Sequence, residues 1–296
     1  LRVIGTPFSY TDIYQQLAEN PAYTVNTYPC LNALNEPLWP ERWNYEALMA
    51  RKAEVGSLMF TREYMCVPIS TGTSLFNPEH LDNAKNKDLV LKPMKREGYK
   101  YFIGIDPAIS TDGDYNVITV IEMDAEENKS IVYVDRSKNV QFRENIQKVK
   151  LLGQVFRPEV ILFETNTFAK SFTQELRQVA DLNVHDFNTT RRKKQEIILN
   201  LQMTLENGKM NFPYGNEESR KVTSVLVEEL SMFAITDKGK FEGIGAHDDM
   251  VMSLALANAA TYQASETFIL LDDLGLFDDD SNAVKRPVKN AIGLNF

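Results

Sequence analysis

One eight-residue stretch, Tyr101-Phe102-Ile103-Gly104-Ile105-Asp106-Pro107-Ala108, most limits what this chain can fold into. An apolar run climbs to a single carboxylate and stops at proline. Tyr101, Phe102, Ile103 and Ile105 have the aromatic and β-branched character of a strand buried on both faces. Gly104 admits close approach of another backbone, and Pro107 cannot continue a ladder. Asp106 is thereby placed at the carboxyl end of a central strand, where open α/β sheets carry their chemistry. An aspartate that merely caps a turn is the plainer reading of an isolated Asp-Pro, so the rest of the chain has to decide.

After a polar turn, Ser110 to Asp114, a second strand runs from Tyr115 to Met123 and a third from Ser130 to Asp135. The short links make these three an antiparallel meander. Phe142, Ile146, Val149 and Leu152 recur at helical spacing and predict a helix from Phe142 to Phe156. The fourth strand, Pro158 to Glu164, again ends a buried run in a carboxylate. A helix from Phe168 to Val179 and a strand from Val184 to Phe187 follow. Next come helices from Arg192 to Glu206, capped within Asn188-Thr189-Thr190, and from Glu217 to Phe233. A hairpin spans Phe233 to Gly243, turning at Lys238-Gly239. Gly245-Ala246-His247-Asp248-Asp249 then opens a helix from Met250 to Tyr262, apolar on nearly every side and therefore expected against the sheet. The order defines an α/β fold, a mixed sheet with helices on both faces.

The front of the chain reads differently. Leu1 to Phe8 is the end of a strand running into a turn, and Asp12 to Glu19 a short helix. Thr24 to Cys30 is extended, and helices run from Asn44 to Gly56 and from Ser57 to Cys66, together a small helical subdomain. The turn signals and mixed charges from Ser70 to Lys100 read as a linker, and the tail from Ser265 onward loses periodicity. Starting at Leu1, inside an apolar run, suggests a processed or truncated polypeptide.

With 296 residues, 43% of them hydrophobic, the chain has room and material for one large core or two ordinary ones. A net charge of -9 argues against a protein that coats nucleic acid through bulk positive charge, so any such contact must come from local basic patches. Cys30 and Cys66 lie outside zinc-ligand spacing and suit a reducing compartment. No apolar run reaches transmembrane length, and the first residues do not resemble a signal peptide. A G-x-x-x-x-G-K-[ST] phosphate loop does not occur in the sequence.

The carboxylates carry the chemistry. If the strands ending in Asp106 and Glu164 are parallel neighbours, the two acids stand side by side, and a helix beginning at Asp248-Asp249 can reach across to them. Adjacent helical residues point about 100° apart, so one of Asp248 and Asp249 is expected to be the principal ligand. Converging carboxylates without a cysteine or histidine cluster suit hard cations, Mg²⁺ or Mn²⁺. Two such ions about 3.5–4 Å apart serve phosphodiester hydrolysis. Taken singly, each acid has a plainer reading. Asp248 and Asp249 favour a helix N-terminus, Glu164 is open to an ion pair, and Asp112 and Asp114 are open to assisting a metal or to serving as turn residues. His247 reads as a structural hydrogen-bonder outside the core site. The run Arg191-Arg192-Lys193-Lys194 opposes a helix dipole, which leaves phosphate contact or a solvated face as its readings.

Three motifs, Gly104-Ile105-Asp106-Pro107-Ala108, Leu162-Phe163-Glu164-Thr165-Asn166 and Gly245-Ala246-His247-Asp248-Asp249-Met250-Val251, resemble in order and placement those of the nuclease domain of tailed-phage large terminase subunits. Arg2-Val3-Ile4-Gly5-Thr6-Pro7 resembles the segment after the Walker B strand of the family's ATPase domain. Trp39-Pro40-Glu41-Arg42-Trp43 and Phe60-Thr61-Arg62-Glu63-Tyr64 are similar to its lid. The resemblance implies a ribonuclease H-like domain at 94–264. It is preceded at 1–93 by a mainly helical remnant of a P-loop ATPase domain with lid and linker, and followed by a flexible tail at 265–296. It further implies a metal-dependent endonuclease that cuts concatemeric double-stranded DNA, with Asp106, Glu164, Asp248 and Asp249 holding two Mg²⁺ or Mn²⁺ ions. Arg191, Arg192, Lys193 and Lys194 are the implied DNA contacts. ATP enters only through the missing N-terminal half. The implied partners are a portal protein, the small terminase subunit and further copies in a motor oligomer, with no membrane. The implied location is the host cytoplasm, at the procapsid portal during packaging and not in the mature virion. Two other readings stay open: another ribonuclease H-like nuclease of resolvase or transposase type, and a non-catalytic portal-docking module.

Overall fold

A computed structural model describes residues 2–7, 12–68, 74–107, 115–138, 142–164, 175–176, 182–236, 240–244 and 247–264. At the front, α1 (Ile13–Glu19), α2 (Tyr45–Val55) and α3 (Ser57–Glu63) form where helical spacing and caps agree. The Asn44 side chain accepts from the Ala47 N–H to start α2, and Gly56, at φ 80°, ends it. Residues 2–7, expected as a strand end, form no strand, since no described strand pairs with them.

The segment expected as a linker is largely structured. α4 (Pro78–Asn83) starts on an Asn77 cap followed by proline, and β1 (Lys85–Asn86) follows it directly. Leu75, Phe76, Leu81 and Ala84 are buried in the same apolar cluster as the central sheet.

The meander consists of β2 (Lys100–Asp106), β3 (Asn116–Met123) and β4 (Lys129–Ser137), all antiparallel neighbours. α5 (Phe142–Phe156) leads to β5 (Val160–Glu164), which pairs parallel with β2. The helix expected at Phe168 to Val179 falls almost wholly outside the described residues. β6 (Val184–Phe187) extends the sheet beyond β5, and α6 (Arg191–Glu206) follows a Thr190 cap. A strand not anticipated, β7 (Met210–Pro213), pairs parallel with β4 and carries β1 at its outer edge. α7 (Glu217–Ser231), the hairpin β8 (Phe233–Ile235) and β9 (Phe241–Gly243), and α8 (Asp249–Ala264) complete the described chain. The hairpin's expected turn at Lys238-Gly239 lies outside the described residues.

The seven-stranded sheet thus runs β1-β7-β4-β3-β2-β5-β6. Side chains alternate across it. Tyr101, Ile103, Ile105, Ile161 and Phe163 join Ile146, Val149 and Phe156 of α5 on one face. Phe102, Val160 and Leu162 face α8 on the other, together with Leu48, Val55, Met59 and Phe60 of the front helices. The front helices therefore share the sheet's core, and the Ser57 N–H donates to Glu206 Oε2 at 2.9 Å.

Gly104 sets how near α8 comes. A Cβ at this position would fall 2.1 Å from the Ser253 carbonyl oxygen and 2.3 Å from the Ala257 nitrogen, both backbone atoms of the helix. Ser253 Oγ donates into the strand at the Gly104 carbonyl, 3.0 Å away. The helix lies flat on the strand because the strand has no side chain there.

Candidate active site

Strand periodicity and register bring two carboxylates together. Asp106 lies two residues beyond Gly104, and Glu164 two beyond Leu162, so both point to the α8 face. Ile105 pairs with Phe163 in the parallel ladder, which leaves Asp106 and Glu164 as neighbours at the ends of their strands. Asp106 keeps some exposed area but is densely surrounded. Burial, then the adjacent Glu164 charge and a hydrogen bond with it, push the Asp106 carboxyl well above its usual range, with Asp249 and Asp248 adding to the effect. The crowding of like charges is what a cation placed between the acids relieves.

The close packing of α8 brings its N-terminus to the same edge. The Tyr115 N–H donates to Asp249 Oδ2 at 3.2 Å, and His247 Nδ1 stands 3.5 Å from the same oxygen. The first turn of the helix is held from below by Glu229, whose Oε2 accepts from the Met250 N–H at 2.8 Å. Burial raises the Glu229 carboxyl to about 7, against the lowering influence of the Met250 N–H and Arg136. Arg136 donates to Glu229 Oε1 at 3.2 Å.

Lys194 enters this group. Its Nζ lies 2.8 Å from Asp248 Oδ2, so one member of the basic run turns into the carboxylates. Lys193 lies with its Nζ 5.8 Å from the centre of the Phe187 ring. Arg191 and Lys193 are exposed, and Arg192 is partly so.

Sequence reading did not single out the cationic and aromatic flank on β4. Val117 pairs with Asp106 on one side and with Arg136 on the other, so a carboxylate and a guanidinium stand in one row of the sheet. The Arg136 guanidinium lies 3.4 Å from the centre of the Tyr115 ring and Lys138 Nζ 4.4 Å from it. A hydrogen bond from Lys138 lowers the Tyr115 hydroxyl below its usual range. His247 meets the same ring edge-on, with centroids 5.2 Å apart. The sequence signal was Arg136 and Lys138, two residues apart where β4 ends.

The donor set is all oxygen apart from His247, which suits a hard divalent cation, and the crowding of Asp106 by Glu164 is the repulsion such a cation relieves. Among the described residues no three acidic, histidine or cysteine side chains already stand in ligand geometry. Lys194 engages Asp248, and Asp249 is held by Tyr115 and His247. Asp112 and Asp114 lie outside the described residues.

A mixed seven-stranded sheet flanked by helices, with acids at the ends of β2 and of its parallel neighbour β5, belongs to the ribonuclease H-like class of α/β folds. The chain belongs to the family described as the terminase RNaseH-like domain, whose model matches residues 103–260. The large terminase nuclease of thermophilic phage G20c with bound magnesium is 23% identical, over 63% of this chain and 97% of that one, with a TM-score of 0.48. The large terminase nuclease domain of Thermus phage P74-26 is also 23% identical, over 62% and 94%, at 0.46. The bacteriophage HK97 large terminase is 11% identical over 85% of this chain and 61% of its own, at 0.48. No curated protein matches the chain in sequence. Among the described residues no helix is long and apolar enough to cross a membrane.

Proposed function

We propose that this chain is a metal-dependent endodeoxyribonuclease of a viral packaging motor, cutting concatemeric double-stranded DNA. The observation that carries the reading is the contact of Asp106 with Glu164 at adjoining strand ends, beneath the helix that presents Asp248 and Asp249. These four residues would hold two Mg²⁺ or Mn²⁺ ions. When bound, such ions activate water and offset charge on the leaving oxygen in phosphodiester hydrolysis.

The chain's own residues orient that chemistry. The strand register fixes Asp106 against Glu164, the Tyr115 N–H fixes one oxygen of Asp249, and Lys194 neutralises Asp248 in place of a metal ion. Arg191, Arg192 and Lys193 are placed to contact phosphates in sequence-independent fashion, with Lys194 reaching from the same turn into the site. The negative net charge favours an enzyme that lets DNA slide and cuts seldom. In a full motor the partners are the portal protein, the small terminase subunit and further copies of the chain. ATP acts there through an ATPase half that carries its own phosphate loop. The place of action is the host cytoplasm at the procapsid portal, and the protein is not carried into the mature virion.

The test is nicking and linearisation of supercoiled plasmid with Mn²⁺, Mg²⁺ or EDTA, by the wild type and by Asp106→Ala. Cutting that requires a divalent ion and disappears in the variant is the expected result. Cutting in EDTA, or cutting by Asp106→Ala at the wild-type rate, overturns the assignment.

A further inference from the structure

The N-terminus of α8 is held by a ring of contacts that closes on itself. The first N–H groups of a helix have no partner within it, and here an acceptor comes from another helix. Glu229 of α7 accepts from the Met250 N–H at 2.8 Å, and the Val251 N–H also reaches its carboxylate. Its other oxygen accepts from Arg136 at 3.2 Å. The Arg136 guanidinium lies 3.4 Å from the centre of the Tyr115 ring, and the Tyr115 N–H donates to Asp249 Oδ2 at 3.2 Å. Asp249 is bonded to Met250, and the ring is complete.

The ring fixes what the Gly104 contact leaves open. Gly104 and the Ser253 hydroxyl set how near α8 comes to β2, and the same hydroxyl lies 2.9 Å from Thr119 Oγ1. A helix held only there can still turn about its axis or tilt, and either motion displaces its first residues. Arg136 opposes that motion from a fixed place. Val117 pairs with Arg136 on one side and with Asp106 on the other, so the guanidinium is anchored in the same row across the sheet as Asp106. An ion pair taken out of water adds little stability over an apolar pair of similar volume, and its best-attested use is to select one arrangement. Glu229 and Arg136 are such a pair, with side chains 7% and 24% exposed.

We infer that Glu229 and Arg136 are positioning residues of the carboxylate site: they set the rotation of α8 and so hold Asp249 toward Asp106 and Glu164 in the arrangement that takes divalent ions. The assignment rests on the nuclease reading proposed above, and in it neither residue touches metal or DNA. Tyr115 passes the restraint on, since its ring lies on Arg136 and its N–H on Asp249. The pair therefore acts on divalent affinity and on the rate of cutting, and leaves the affinity for DNA alone.

Calorimetric titration of the intact chain with Mn²⁺ in the absence of DNA, together with plasmid nicking, tests the assignment. Glu229→Leu removes both the charge and the acceptor. It is expected to bind Mn²⁺ about tenfold or more weakly, as loss of a group that orients metal ligands does, and to lower kcat with KM for plasmid unchanged. Glu229→Gln also removes the charge but keeps an oxygen for the Met250 N–H, and is expected to recover most of the Mn²⁺ affinity. Simple loss of negative charge would weaken both variants alike. Arg136→Met leaves the Met250 contact in place and is expected to weaken Mn²⁺ binding severalfold. It carries the test should Glu229→Leu fail to fold by circular dichroism. The assignment is overturned if the folded variants bind Mn²⁺ as the wild type does, if Glu229→Gln binds as weakly as Glu229→Leu, or if Glu229→Leu changes KM and leaves kcat alone. A wild type that binds Mn²⁺ but does not cut DNA removes the nuclease reading, while the Mn²⁺ comparison still decides this one. A wild type that binds no Mn²⁺ overturns both.

Discussion

Asp106 and Lys194 answer the same electrostatic need from opposite sides. Asp106 is pressed against Glu164, where burial and the neighbouring charge disfavour its ionised form, whereas Lys194 brings positive charge to Asp248. Asp106→Asn keeps the shape, removes one charge and leaves an amide to donate to Glu164. In EDTA it is expected to be about 1–2 kcal/mol more stable than the wild type. Thermal melts should then show a higher midpoint in EDTA and a much smaller rise on adding Mg²⁺ or Mn²⁺. Lys194→Met breaks a partly exposed ion pair, costing about 1 kcal/mol or less. It frees Asp248, so Mn²⁺ titrated calorimetrically should bind severalfold tighter. Weaker Mn²⁺ binding would mean that Lys194 organises the acids instead of competing for them. The acids were legible in sequence because each ends an apolar run or opens a buried helix. The role of Lys194 was not, because its ion pair joins positions 54 residues apart and a run of four basic residues looks alike from end to end.

The contact of β2 with α8 governs how the edge is assembled. Gly104→Ala places a methyl group inside the helix backbone, where neither element can yield without losing hydrogen bonds. We expect a loss of roughly 3 kcal/mol or more, read by urea denaturation, together with loss of divalent binding as the helix N-terminus moves away. A variant that kept wild-type stability would mean that α8 has freedom to slide. This close approach was readable from one glycine in an apolar strand. The outer strands were not. β7 is four residues between Lys209 and Tyr214, ending in Pro213, and β1 is only Lys85-Asn86. Such short outer elements carry punctuation in place of alternation, and only the ladders of β7 to β4 and of β1 to β7 make them strands. The same limit applied to Leu75, Phe76 and Leu81, whose burial depends on partners far along the chain.

At the scale of the whole molecule, the buried Lys129 couples folding to pH. Burial lowers its ammonium to about 8 from 10.5. Between those values the unfolded chain holds the extra proton and the folded chain does not, so unfolding free energy from this group rises with pH. Below about pH 8 the folded protein carries the full cost of the buried charge, of order 3 kcal/mol. Lys129→Met should therefore be more stable than wild type near pH 7, with the gap narrowing steadily from pH 8 toward 10.5. Urea titrations at pH 7, 8.5 and 10 measure it, and a constant gap would contradict the burial. The front helices enter the same accounting, because Leu48, Val55, Met59 and Phe60 complete the core above the sheet. Their removal should lower the melting midpoint of the remaining domain. The order of the site residues along the chain has a temporal consequence. Asp106 and Glu164 leave the ribosome well before Asp248 and Asp249, which stand at the start of the final described helix. On the nuclease reading proposed above, a growing chain that has made its meander and first parallel strand still lacks two of the four acids, and the set is complete only when the last helix settles onto Gly104.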